Sequence, residues 1–135
     1  MDEYYSKDYL TAGAHCYAVD AKRREIQNRY EARFEGYLID SAAATDIKEY
    51  AKLSSAVNHT IKDKVYPSIV NLRQQLNNNK YYVLNSLTHT REEFDGYVWD
   101  TKKPDEPIGG NDHLMDCLRY HCTRYFPVKA HGRWI

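Results

Sequence analysis

No run of apolar residues in this 135-residue chain is long enough to span a bilayer, and its start carries no basic-then-apolar signal pattern. A helical membrane anchor, a secretory leader and a membrane partner are therefore not expected. No Gly-x-x-x-x-Gly-Lys-Ser/Thr loop occurs, which excludes a P-loop ATPase. Net charge is missing too, with 19 Lys and Arg against 19 Asp and Glu. Phosphate binding over a whole surface needs a basic excess, so a nucleic-acid contact here would have to be a local patch. Cysteine is scarce: Cys16, Cys117 and Cys122 are an odd set without close pairs, read as reduced thiols in a cytosolic setting. There is neither an internal repeat nor a low-complexity tract. What the chain has in excess is tyrosine, 13 residues, which covers apolar surface while keeping a polar tip. The length suits one domain with a real core.

Met1 to Tyr5 is compatible with a short edge strand. From about Tyr9 to Tyr30 the pattern is helical, with Ala14, Tyr17, Ala18, Ala21 and Ile26 on one side and Lys22, Arg23 and Arg24 on another. That triplet is either a solvated face or a contact for DNA phosphates. Gly36 breaks the helix, and Tyr37-Leu38-Ile39 reads as a short buried strand ending in Asp40. At the carboxyl end of a strand, Asp40 is placed either to face a ligand or to close a turn. Asp46 and Glu49 have capping-box spacing for a helix through Leu53, and Ala56 to Ile61 reads as a strand. Val65, Ile69, Leu72 and Leu76 predict an amphipathic helix with Pro67 in its first turn, stopped by Asn77-Asn78-Asn79. Lys80 to Leu84 is the next strand candidate. Thr90 and Glu93 again have capping-box spacing. Thr101 to Gly110 reads as a mobile loop, with Lys102 and Lys103 available to a DNA backbone.

The densest chemistry lies in Asn111-Asp112-His113-Leu114-Met115-Asp116-Cys117-Leu118-Arg119-Tyr120. It reads as the start of a helix running to about Phe126. Leu114, Leu118 and Tyr125, with Cys117 and Cys122 near them, supply its apolar stripe. Arg119 and Arg124 suit the carboxyl end of the helix dipole. Asp112 and Asp116 are at i and i+4 with His113 between them. Two readings stand. Asp112 is a helix cap favoured by the dipole, or the carboxylates bind a hard divalent cation together with a further carboxylate from elsewhere. A zinc reading uses His113, Cys117 and His121 at i, i+4 and i+8 with Cys122 adjacent, although closed zinc sites usually draw on two loops and no Cys-x-x-Cys accompanies this one.

The segment Asp112-His113-Leu114-Met115-Asp116-Cys117-Leu118-Arg119-Tyr120 resembles the last motif of the nuclease domain of the large terminase subunit of tailed bacteriophages. Upstream, Gly36 to Ala43 is similar to that family's central strand ending in a metal-binding Asp. Glu93-Phe94-Asp95-Gly96-Tyr97-Val98-Trp99-Asp100 is similar to its Glu-x-x-x-Tyr-x-Trp segment. All three come in the family's order. The resemblance implies an α/β, ribonuclease H-like mixed sheet flanked by helices, truncated at its N-terminus. Residues 1–126 would be the partial nuclease domain and 127–135 a C-terminal tail. It implies catalytic Asp40, Asp116 and His113, with Asp40, Asp116 and Asp112 as ligands of Mg2+ or Mn2+. The low-ranked DNA contacts would be Lys102, Lys103, Lys22, Arg23 and Arg24. The implied partners are double-stranded DNA, the terminase ATPase domain and other packaging proteins (portal, small subunit), in the cytoplasm of an infected or prophage-carrying bacterium. The family's first catalytic Asp lies on a strand that this sequence does not contain. The competing expectations are an inactive terminase fragment acting as a protein-interaction module, and a small zinc-stabilised structural domain.

Overall fold

A computed structural model describes residues 3–4, 6, 10–59 and 64–127. Its elements are α1 (Ala12–Tyr30), β1 (Tyr37–Ile39), α2 (Ala44–Leu53), β2 (Val57–His59), α3 (Val65–Asn77), α4 (Thr88–Gly96) and α5 (His113–Tyr125). The chain divides into two compact units, residues 2–61 and residues 62–135, the second also taking in residue 1.

The expected mixed sheet is not what forms. β1 and β2 make a two-stranded parallel pair, with Tyr37 opposite Val57 and Ile39 opposite His59, and among the described residues the other named elements are helices. The physical reason is visible in the packing. The apolar stripes of α3 and α5 cover each other rather than a sheet face. Tyr81 to Leu84 alternates inward and outward like a strand, with Tyr81 buried and Tyr82 exposed, yet it joins no ladder among the described residues. Of the expected N-terminal strand, Met1, Asp2 and Tyr5 lie outside the described residues, as do Thr60 and Ile61 at the end of the expected second strand.

In the N-terminal unit, Thr11 caps α1 by accepting the Ala14 N–H at 3.2 Å, and Glu31 ends the helix in the left-handed region at φ 49°. Gly36, at φ 142°, then admits the turn into β1. The strands β1 and β2 flank α2 in sequence, the crossover that a parallel pair requires. Ala43, not Asp46, precedes α2 as its cap, so the expected capping box does not form. The core here is Cys16, Tyr37 and Tyr50, with Val19, Phe34, Ile39, Leu53 and Val57 packed around it. The Tyr37 ring lies 4.6 Å from that of Tyr50 and 4.9 Å from that of Phe34. Its hydroxyl donates to the buried carboxylate of Asp20, which also accepts from Arg23 Nε at 2.7 Å. A carboxylate buried with both partners in place is stabilised as the anion.

In the C-terminal unit the core is Leu72, Tyr81, Met115, Leu118 and Cys122, with Leu76, Val83, Tyr97 and Phe126 against it. Asn71 Nδ2 ties α3 to the end of α5 by donating to the Phe126 carbonyl at 2.7 Å. α3 ends as the asparagine run predicts, with Asn79 at φ 52°. Among the described residues no helix is long and apolar enough to cross a membrane.

Hydrogen bonds from Arg23 and Tyr37 hold the Asp20 carboxyl below its ordinary value. A depressed carboxylate contributes stability that is present above its unfolded pKa of about 3.9 and is lost as pH falls through the folded value. Acid titration of the chain, followed by tyrosine fluorescence, should therefore show a transition below that pH. Asp20→Asn should lower stability at neutral pH and flatten that acid transition. An unchanged acid profile would show that Asp20 is not linked to folding.

Candidate functional site at the start of the last helix

The acidic cluster sits where the sequence puts it, on the first turn of α5, but the interactions that hold it come from other elements. Asp112 precedes the helix without making a side-chain cap bond. The cap is supplied instead by Glu93 of α4. Its Oε2 accepts the Leu114 N–H at 2.7 Å and the Met115 N–H at 3.0 Å. Glu93 is buried, and its negative charge faces the positive end of the α5 dipole. Its expected partner Thr90 lies inside α4 (Thr88–Gly96) rather than at its cap, so the local capping box does not form and Glu93 caps the neighbouring helix instead.

Asp116 lies one turn further on and is partly exposed. It is ion-paired with Arg119, whose side chain is only 5% exposed. Arg119 Nη1 also donates to Ser68 Oγ of α3 at 2.7 Å, and Ser68 in turn donates to the Val65 carbonyl at 2.7 Å. Burial works against the guanidinium's charge, but the Asp116 carboxylate outweighs it and holds the Arg119 pKa above its ordinary value. Arg119 is thus an internal anchor of the helix and not the exposed dipole partner expected from the sequence. The buried stripe of α5 is Met115, Leu118, Arg119, Cys122 and Thr123; Leu118 and Cys122 are buried as expected, but Cys117 and Tyr125 are exposed and Met115 and Arg119 take their place.

Tyr97, at the end of α4, looks onto the same place. Burial pushes its phenol up, the Arg119 cation pulls it back, and the charges of Asp116 and Asp112 push it up again. The Tyr97 hydroxyl, Glu93 Oε1 and Arg119 Nε are all buried without a hydrogen-bond partner among the described residues. His113 is exposed on the first turn. Glu93 and Ser68 are the residues that sequence reasoning left without a role here. For Glu93 a signal existed in the Glu-x-x-x-Tyr-x-Trp segment; for Ser68 there was none.

Asp40 follows β1 in the N-terminal unit. Its Oδ1 accepts the Ala42 N–H at 2.9 Å and its carbonyl accepts the Ala43 N–H at 2.9 Å, a turn at the carboxyl end of the strand. Among the described residues, no three His, Cys, Asp or Glu side chains gather as a metal-binding group, and this includes the His113, Cys117, His121 and Cys122 set.

Four of the five candidate DNA-contact side chains are paired with acids. Lys22 pairs with Glu25 at 3.2 Å, and Arg23 and Arg24 pair with Asp20 at 2.7 and 3.2 Å. The Arg23 guanidinium also lies over the Phe34 ring at 4.6 Å. Lys103 pairs with Glu106 at 3.1 Å, and the Lys102 N–H is held by Asp100 at 2.8 Å. The loop that carries these two lysines is tied into a small hairpin by Ile108 N–H to Val98 O and Asp100 N–H to Glu106 O.

The chain is structurally similar to the large terminase of a thermophilic bacteriophage. One crystal structure of that protein matches with a TM-score of 0.64 and 25% identity, over 78% of this chain and 28% of the terminase. A second, of the same terminase in complex with ADP, matches with a TM-score of 0.64 and 26% identity, over 77% of this chain and 28% of that one. The chain therefore spans a little over a quarter of the length of the terminase it resembles. No family profile and no curated protein sequence matches it.

The Glu93 cap should be measurable by itself. Glu93→Ala should cost about 2 kcal/mol, the scale of a lost charge-assisted cap, in urea unfolding. The Leu114 and Met115 amides should exchange faster with solvent. Glu93→Gln, which keeps an acceptor, should recover part of both effects. Unchanged exchange at those two amides in Glu93→Ala would refute the cap.

Proposed function

We propose that this chain is the nuclease part of a phage-type large terminase, cutting concatemeric double-stranded DNA by metal-dependent hydrolysis during packaging. The observation that carries the reading is the similarity to a terminase over more than three quarters of the chain, with the Asp112 to Tyr120 motif at an exposed helix start.

The donors suit a hard cation in kind. Asp40, Asp112 and Asp116 offer only carboxylate oxygens, the ligands that Mg2+ or Mn2+ takes. They do not suffice in number within either unit, and Asp116 already holds Arg119. The reading thus requires further carboxylates to complete the set around Asp116. A bound cation would supply Lewis-acid chemistry at the phosphate. The chain's own residues do the rest. Glu93 and Arg119 fix the direction in which α5 presents Asp116. His113, exposed on the same turn, would orient water or take a proton from it. Lys102 and Lys103, exposed on the hairpin, would meet the DNA backbone. In this setting the natural partners are double-stranded DNA, the ATPase part of the terminase, portal and small subunit, in a bacterium carrying the phage.

A second reading is a non-catalytic module of the same lineage that docks other packaging proteins. The engagement of Asp116 by the buried Arg119 favours it, because that pair has a structural role that needs no metal.

Nicking of supercoiled plasmid with Mg2+ or Mn2+ separates the two. The nuclease reading expects metal-dependent cleavage that falls at least a hundredfold in Asp116→Asn and in Asp40→Asn, about the loss of one catalytic electrostatic contact. His113→Ala should lose less. Cleavage that persists in both Asp variants, or none by the parent chain, would favour the docking module.

A further inference from the structure

The last two turns of α5 carry a feature that the terminase reading does not use. An open cleft of about 450 Å³ is lined by Lys80, Tyr81, Tyr82, His121, Tyr125 and Phe126. We propose that this cleft binds an unpaired nucleobase of a single-stranded nucleic acid, with Lys80 on its phosphate. The site lies toward the opposite end of α5 from Asp112, about 18 Å along a helix of this length, and it needs no metal.

The floor of the cleft is fixed. Tyr81 is buried in the core, and its hydroxyl is hydrogen-bonded to His121 Nδ1 at 2.8 Å. The His121 ring is inclined against Tyr125 at 4.6 Å, and Tyr81 meets Phe126 edge-on at 6.4 Å. The rim is exposed: Tyr82 is 67% and Tyr125 52% solvent-accessible. An exposed tyrosine beside a rigid aromatic floor offers its ring face to a flat ligand at little entropic cost, since only two torsions need ordering.

Charge selects among flat ligands. Lys80 is the charged residue of the lining, and no carboxylate is among the described lining residues. Burial pulls the His121 pKa below its ordinary value, so near neutral pH the ring adds a stacking face rather than a second cation. One cation beside several aromatic faces matches one phosphate beside one base, the repeating unit of a single strand. An apolar peptide would offer no anion to the Lys80 ammonium, and a duplex keeps its base faces stacked inside.

Fluorescence anisotropy of a labelled oligothymidylate, titrated with the full chain in EDTA and low salt, tests this. EDTA removes cleavage, so the outcome is independent of the nuclease reading. Saturable binding is expected, weakened tenfold or more by Tyr82→Ala and by Tyr125→Ala, both at exposed positions. Tyr82→Phe should restore it, because stacking needs the ring and not the hydroxyl. Lys80→Gln should weaken binding and lower the salt slope by about one phosphate contact. No binding by the parent chain would overturn the proposal. So would binding that survives both alanine variants, or a duplex that binds as tightly and is equally indifferent to Tyr82→Ala, which would mean phosphate attraction alone.

Discussion

A guanidinium buried in a helical core has to be neutralised where it sits, and in this protein that requirement organises the whole C-terminal unit. Arg119 lies on the buried stripe of α5 among Met115, Leu118 and Cys122. Unpaired, a buried charge of this kind costs several kcal/mol. Asp116 one turn before it and Ser68 on α3 supply the partners. The demand runs in both directions. Arg119 needs the carboxylate, and the carboxylate is thereby held in one rotamer at the surface end of the helix.

The Glu93 cap completes the arrangement. Asp112 leaves the first amides of α5 without a side-chain acceptor, and α4 delivers one from 21 residues upstream. Three helices thus converge on one turn. α3 gives Ser68, α4 gives Glu93, and α5 carries Asp112, His113 and Asp116. A site held by second contacts from neighbouring helices is more precisely aimed than one on a loop. The same network also supplies a purely structural reason for Asp116, which is why the docking reading stands beside the catalytic one.

Periodicity made α3 and α5 legible in the sequence, and the stops were legible too: Gly36 and Asn79 both adopt positive φ where the chain turns. The acidic turn of α5 was legible from residue types alone. The sheet was not. Short apolar runs such as Tyr37 to Ile39 say that a segment is buried, but not how many neighbours it pairs with, and among the described residues the answer is one. Tyr81 to Leu84 shows strand-like alternation, yet its inward side chains are covered by α3 and α5 without a ladder. The Glu93 and Arg119 contacts were also out of reach. Capping-box spacing is a local rule, and it assigned Glu93 to its own helix; a bond across 21 residues, or from Arg119 to Ser68 across 51, leaves no periodic trace. Reading Arg119 as a surface charge left it and Met115 out of the expected stripe of α5, although Leu118 and Cys122 were in it.

The most direct test of this account is a double-mutant cycle on the pair at its centre. Urea unfolding of the parent chain, Asp116→Asn, Arg119→Met and the double variant would give their coupling. If Arg119 depends on Asp116 as described, the two changes interact by more than about 1 kcal/mol, and the double variant is less destabilised than the sum. Additivity within about 0.5 kcal/mol would contradict it, and would mean that the first turn of α5 is held by something other than its buried arginine.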